Sequence, residues 1–135
     1  MTITLNRTGL PDLEFDGERI GQGGRRPEHA DPEWTMRWHV VTLYRTTAGT
    51  LVAQVEYVTE IERENDVTTV FVTTDRKSDL IEQLTKYDPY QYVDQYPDHP
   101  RWDQREERRK ALVTARYKDA CVEAYAGGCI VETVD

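Results

Sequence analysis

The residues of this 135-residue chain that could do chemistry are few and scattered. His29, His39 and His99 are its three histidines, and none has a second His or Cys three or four residues away. Local spacing therefore builds no metal site. His99, between Asp98 and Pro100, could pair with a carboxylate as a general base. No nucleophile candidate stands beside it in sequence, and a surface turn is the stronger reading. His39 follows Trp38 on an expected strand and should be a half-exposed cross-strand neighbour. Cys121 and Cys129 lie eight residues apart, which is neither a disulfide framework nor a zinc spacing. Two reduced, partly buried thiols are expected. Gly21-Gln22-Gly23-Gly24-Arg25-Arg26 could offer backbone amides and two cations to an anion. It lacks a following Gly-Lys-Ser/Thr and opens onto Pro27 rather than a helix, so a flexible exposed loop is expected there. No catalytic residue, metal ligand or cofactor is assigned on these grounds, and the balance is against an enzyme.

A second kind of chemistry is recognition by arginine and aromatic side chains. Residues 101–126 hold seven Lys and Arg against five Asp and Glu, a net +2 in a chain of −8, which leaves −10 for the remainder. Arg101, Arg105, Arg108 and Arg109 are expected near one helical face, with Tyr90, Tyr92, Tyr96 and Trp102 supplying stacking surface nearby. Tyr90, Tyr92, Tyr96, Trp102, Arg105, Arg108 and Arg109 are accordingly the candidate binding residues. That composition suits interface hot spots and also single-strand nucleic-acid grooves. A solvated face laced by pairs such as Glu106 with Lys110 weighs equally. A further minority reading takes Glu56, Glu60, Glu62, Glu64 and Asp66 as a carboxylate row that imitates phosphates.

Charge and hydropathy narrow these options. A net charge of −8 and a pI near 4.9 argue against wholesale binding to nucleic acid or to an anionic membrane. No apolar run approaches the roughly 20 residues of a bilayer span. Met1-Thr2-Ile3-Thr4-Leu5 has neither a basic nor a long apolar leader pattern. A cytoplasmic protein is expected, without membrane contact.

The elements that must position these residues follow from periodicity. Residues 1–74 read as a β-meander. Ile3 with Leu5, and Leu13 with Phe15, alternate with polar residues around Gly9-Leu10-Pro11-Asp12, and 21–33 has loop composition. The run Trp34 to Arg45, the turn Thr46-Thr47-Ala48-Gly49 and the run Leu51 to Ile61 form two long strands joined by a tight hairpin. The apolar phase changes at Val40-Val41, so either a bulge sits there or both faces are covered. On this reading Trp38 and Tyr57 lie in the core and Arg37 and Glu56 do not. Val67 to Thr74 makes a fifth strand.

From 75 to 88 the period changes to that of a helix, with Leu80, Ile81, Leu84 and Tyr87 on one stripe, N-caps at Asp75 or Ser78, and a stop at Asp88-Pro89. Residues 89–101 form a Pro- and Tyr-rich connector. A long helix spans 102–126, amphipathic in its second half through Val113, Tyr117, Ala120, Cys121 and Ala124. Gly127-Gly128 closes it, and 129–134 has the composition of a terminal strand. The whole is expected to be one α+β domain, an antiparallel sheet of five or six strands with two helices packed on one face.

Phe15-Asp16-Gly17, Ile20-Gly21, Arg37-Trp38 and Leu43-Tyr44-Arg45-Thr46 with Gly49 and Val52 resemble a pattern in small bacterial proteins of the EXLDI type. The resemblance covers roughly residues 13–85, while the chain ends Ile130-Val131-Glu132-Thr133-Val134-Asp135 in place of that group's terminal motif. It implies a compact β-meander followed by a helix, and an accessory or regulatory role. The reading favoured is a non-enzymatic accessory protein that binds another protein. A nucleic-acid-binding protein using the Arg-rich helix 101–118 is the alternative, and a small ligand-binding protein or hydrolase comes third. Self-association stays open.

Overall fold

The computed structural model describes residues 1–28, 36–93 and 102–126, the last stretch with its side chains from residue 106 onward. Five strands, β1 (Thr2–Arg7), β2 (Leu10–Gly23), β3 (Arg37–Thr46), β4 (Leu51–Thr59) and β5 (Val67–Val72), form one antiparallel sheet in sequence order. Helices α1 (Lys77–Lys86) and α2 (Trp102–Ala126) follow. This is the expected α+β architecture. The terminal strand at 129–134 and most of the 89–101 connector lie outside the described residues.

The hairpin between β3 and β4 closes where the sequence places it, with Gly49 at φ +95 and Thr46 N–H donating to Thr50 O at 2.9 Å. Pairing then runs unbroken from Arg45↔Leu51 to Arg37↔Thr59. No bulge interrupts β3, so the phase change at Val40-Val41 has its other explanation: both faces are covered. On one face Val41, Leu43, Ala53 and Val55 pack against Leu80 and Leu84 of α1 and Tyr117, Ala120 and Ala124 of α2. On the other, Thr42 and Val52 are each 1% exposed, and Phe15 stands edge-on to Tyr44 at 5.8 Å. The β1–β2 hairpin covers that second face. Its tip reaches β5, where Thr8 N–H donates to Thr68 O at 3.0 Å and Thr68 N–H donates to Thr8 Oγ1 at 2.8 Å.

Several expectations change. Gly21, Gln22 and Gly23 belong to β2 and pair with Leu43, Thr42 and Val41, so the glycine-rich stretch begins as strand rather than loop. The glycines serve packing. A Cβ on Gly23 would stand 2.0 Å from Ala120 O, and one on Gly24 would stand 2.0 Å from His39 O. Only bare backbone lets α2 cross β2 this closely. Helix α1 starts two residues later than 75, behind Arg76, whose side chain makes no capping bond. Thr74 braces the entry to the helix instead, accepting from Arg76 N–H at 3.1 Å and donating to Asp79 in the first turn.

The expected assignment of Trp38 and Arg37 is reversed. Arg37 and His39 share the parity of Val41 and are buried on the helix side, whereas Trp38 points to the other face and is half-buried. Tyr57 is fully buried and Glu56 is half-buried, as the β4 alternation requires.

Candidate functional site

The chemistry-bearing side chains converge at the junction of the sheet, the end of α1 and the middle of α2. Register brings His39 of β3 opposite Tyr57 of β4. Tyr87, in extended conformation just after α1, and Tyr117, on the buried stripe of α2, close over them. The His39 ring lies 5.3 Å from Tyr57, 5.7 Å from Tyr87 and 5.3 Å from Tyr117, centroid to centroid. These are favourable aromatic spacings, and the last two contacts are edge-on. Tyr117 Oη donates to Leu84 O at 2.6 Å, which ties α2 to α1.

The cage is electrostatically quiet. Burial holds the His39 imidazole down at about 4, so it is neutral near pH 7. Burial raises the phenols of Tyr57, Tyr87 and Tyr117 as well, which keeps them protonated. His39 Nε2 and Tyr87 Oη are buried without a hydrogen-bond partner. Near pH 7 the set is a neutral packing cluster, in which Tyr57 and Tyr117 make the hydroxyl bonds.

Beside the cage, Arg37 and Glu64 form an ion pair whose side chains are 6% and 0% exposed. Tyr57 Oη and Thr59 Oγ1 both donate to Glu64 Oε1, at 2.5 and 2.9 Å. Burial alone would raise the Glu64 carboxyl, but the Arg37 guanidinium and these hydroxyls outweigh it and hold it below its ordinary value. Glu64 is thus consumed inside the fold, and Glu60 pairs with Arg26 at 3.0 Å. The acidic stretch 56–66 is not a free carboxylate row.

Between α1 and α2 lies a groove of about 520 Å³. Its walls are mainly apolar and aromatic, with Ile81, Leu84, Tyr87, Pro89, Tyr117 and Tyr125 along its length. Asp88 and Lys118 also line it, together with Val122, which is 63% exposed. Cys121 sits in its wall, with its thiol pushed up to about 11 by burial, so it is no nucleophile at neutral pH. Cys121 is buried and carries no disulfide to a described residue, and Cys129 lies outside the described residues.

Of the seven candidate binding residues, Tyr90 and Arg109 are buried, Tyr92 is half-buried and Arg108 is exposed. The turn after α1 drops Tyr90 and Val93 onto Tyr57, with Asp88 Oδ1 accepting from Tyr90 N–H at 3.0 Å. The Tyr92 ring packs against Tyr57 at 6.0 Å, tilted by 39°. Arg109, 2% exposed, faces inward, and so does not share a surface with Arg108. Tyr96, His99 and Arg101 lie outside the described residues, as do the side chains of Trp102 and Arg105.

Sequence reasoning missed His39, Tyr87 and Tyr117 as one cluster. The signal was present in part: His39 has the parity of Val41, and Tyr87 continues the Leu80, Leu84 stripe. Among the described residues no group of three His, Cys, Asp or Glu stands together, and no helix is long and apolar enough to cross a membrane. No family model, curated protein or solved structure matches this chain.

Proposed function

We propose that this protein is a non-enzymatic accessory or regulatory module that binds another protein, and that the groove between α1 and α2 is where it does so. The observation that carries this reading is an apolar, tyrosine-rich cleft of about 520 Å³ that the two helices leave open beside an exposed Val122. Aromatic-walled apolar clefts with a few charges are where partner side chains anchor. The surrounding chemistry agrees with binding rather than turnover, since His39, Cys121 and the buried tyrosines are all held in their neutral forms near pH 7. Arg109 is turned inward, which favours this groove over the Arg-rich helix as the working surface.

The test is affinity capture from the native host with wild type, Val122→Asp and Arg108→Glu. Val122 and Arg108 are exposed, so both variants should fold. Loss of the captured protein in Val122→Asp but not in Arg108→Glu supports the groove. The reverse pattern, or retention in both, refutes it. A small apolar ligand is the second reading, favoured by a volume inside the roughly 300–1,000 Å³ typical of ligand sites. Native mass spectrometry of the purified protein distinguishes the two by the mass that stays bound.

A further inference from the structure

We propose that β5 is a self-association edge, along which two copies of the chain pair antiparallel over Val70–Val72. This stands apart from the groove reading. The sheet ends at β5. Its ladder bonds to β4 alternate, with Thr73 N–H donating to Leu51 O at 3.0 Å, while the N–H and C=O of Thr68 turn outward to Thr8. By the same alternation the main-chain groups of Val70 and Val72 also face outward. The hairpin tip at Thr8 satisfies Thr68 and stops there. It shows that this edge accepts main-chain partners; β1 approaches β5 beside it, but among the described residues no main-chain bond from the hairpin reaches Val70 or Val72.

Among the described residues, beyond the Thr8 tip, the edge carries no lysine, proline or bulge to guard it. Val67 through Thr74 is an uninterrupted uncharged run in a chain that is 31% charged. It contains no Pro, its pairing with β4 shows no register shift, and Val72 is 57% exposed. Lysines, prolines and bulges are the usual defences of an exposed edge.

Charge selects a second copy as the occupant. Asp66 lies just before β5, where its exposed carboxylate also accepts from Thr59 N–H, and after β5 the exposed Arg76 stands between Asp75 and Lys77, leaving that end net positive. A two-fold axis near Phe71 brings the Asp66 end of one strand to the Arg76 end of the other, and does so twice. Parallel pairing would set like charges together. Two copies of a −8 chain repel one another overall, and an uncharged strand with oppositely charged ends adds no like-charge contact to that repulsion. Because Thr8 limits the free edge to Val70 and Val72, the contact is smaller than the roughly 1,200 Å² of stable interfaces. The dimer is therefore concentration-dependent.

Sedimentation velocity over a concentration series reaching about 1 mM tests this. Wild type should pass from monomer to dimer, with weaker association at high salt. The Val70 and Val72 amides should gain hydrogen-exchange protection as concentration rises. Val72→Lys should stay monomeric with an unchanged circular dichroism spectrum. Arg76→Glu should weaken the dimer about tenfold by setting like charges together, and Asp66→Lys/Arg76→Glu should restore it. A wild type that is monomeric throughout, or a dimer indifferent to Val72→Lys, overturns the proposal. Failure of the charge swap to restore association overturns the antiparallel arrangement.

Discussion

Tyr57 and Glu64 sit seven residues apart across the β4–β5 turn, and the tyrosine hydroxyl donates to the Glu64 carboxylate at 2.5 Å while Arg37 neutralises it from β3. The turn is thereby bonded to two strands at once. One buried carboxylate joins the β4–β5 turn to β3 and β4.

Glu64→Ala should cost about 3–5 kcal/mol, because it removes the buried carboxylate that pairs with the Arg37 guanidinium. Tyr57→Phe should cost about 1–3 kcal/mol, since Glu64 keeps Arg37 and Thr59. Replacing the pair together, Arg37→Met with Glu64→Leu, should cost less than Glu64→Ala alone. Urea denaturation of the four proteins checks the order. A double variant weaker than the single would show that the ion pair is net stabilising.

Acid should destabilise the fold in two stages. His39 is depressed to about 4 in the folded state against about 6.5 unfolded, so its contribution is complete above pH 6.5 and is lost as pH falls toward 4, about 3 kcal/mol in all. Glu64 is also depressed, so its contribution is present above the ordinary carboxylate value and is lost as pH falls through its own folded value. His39→Phe should remove the upper stage and leave the lower one. Denaturation midpoints measured from pH 8 to pH 3 read this directly, and an unchanged curve between pH 6.5 and 4 in the variant would contradict it.

Gly23→Ala should destabilise by about 1–3 kcal/mol, because the added methyl would meet the backbone of Ala120 and Ala124 in the C-terminal third of α2. The helix must lift, which exposes the groove wall. A lower melting temperature with increased binding of a hydrophobic dye is the expected pair of readings.

Cys121 should react slowly with iodoacetamide near pH 7.5, since its thiol is buried and raised to about 11. Peptide mass spectrometry separates its labelling from that of Cys129. Labelling of Cys121 should accelerate sharply once urea unfolds the chain, and rapid labelling under native conditions would refute its packing in the groove wall.

Much of this fold is legible in the chain alone. The hairpin at Gly49, the alternation of β4, the period change before Leu80 and the long helix to Ala126 all follow from spacing, because neighbours in sequence set those patterns. The phase of β3 does not. Its two apolar faces are equivalent in sequence, and only the covering of one by helices and the other by the β1–β2 hairpin shows that Arg37 and His39 turn inward and Trp38 outward. Gly23 reads as loop in sequence because its use, a close crossing by α2, involves residues nearly a hundred positions away. The His39 cage, the Arg37–Glu64 pair and the inward Arg109 were hidden for the same reason. A charged or polar residue reads as surface until tertiary packing supplies the partner, or the aromatic wall, that makes its burial affordable.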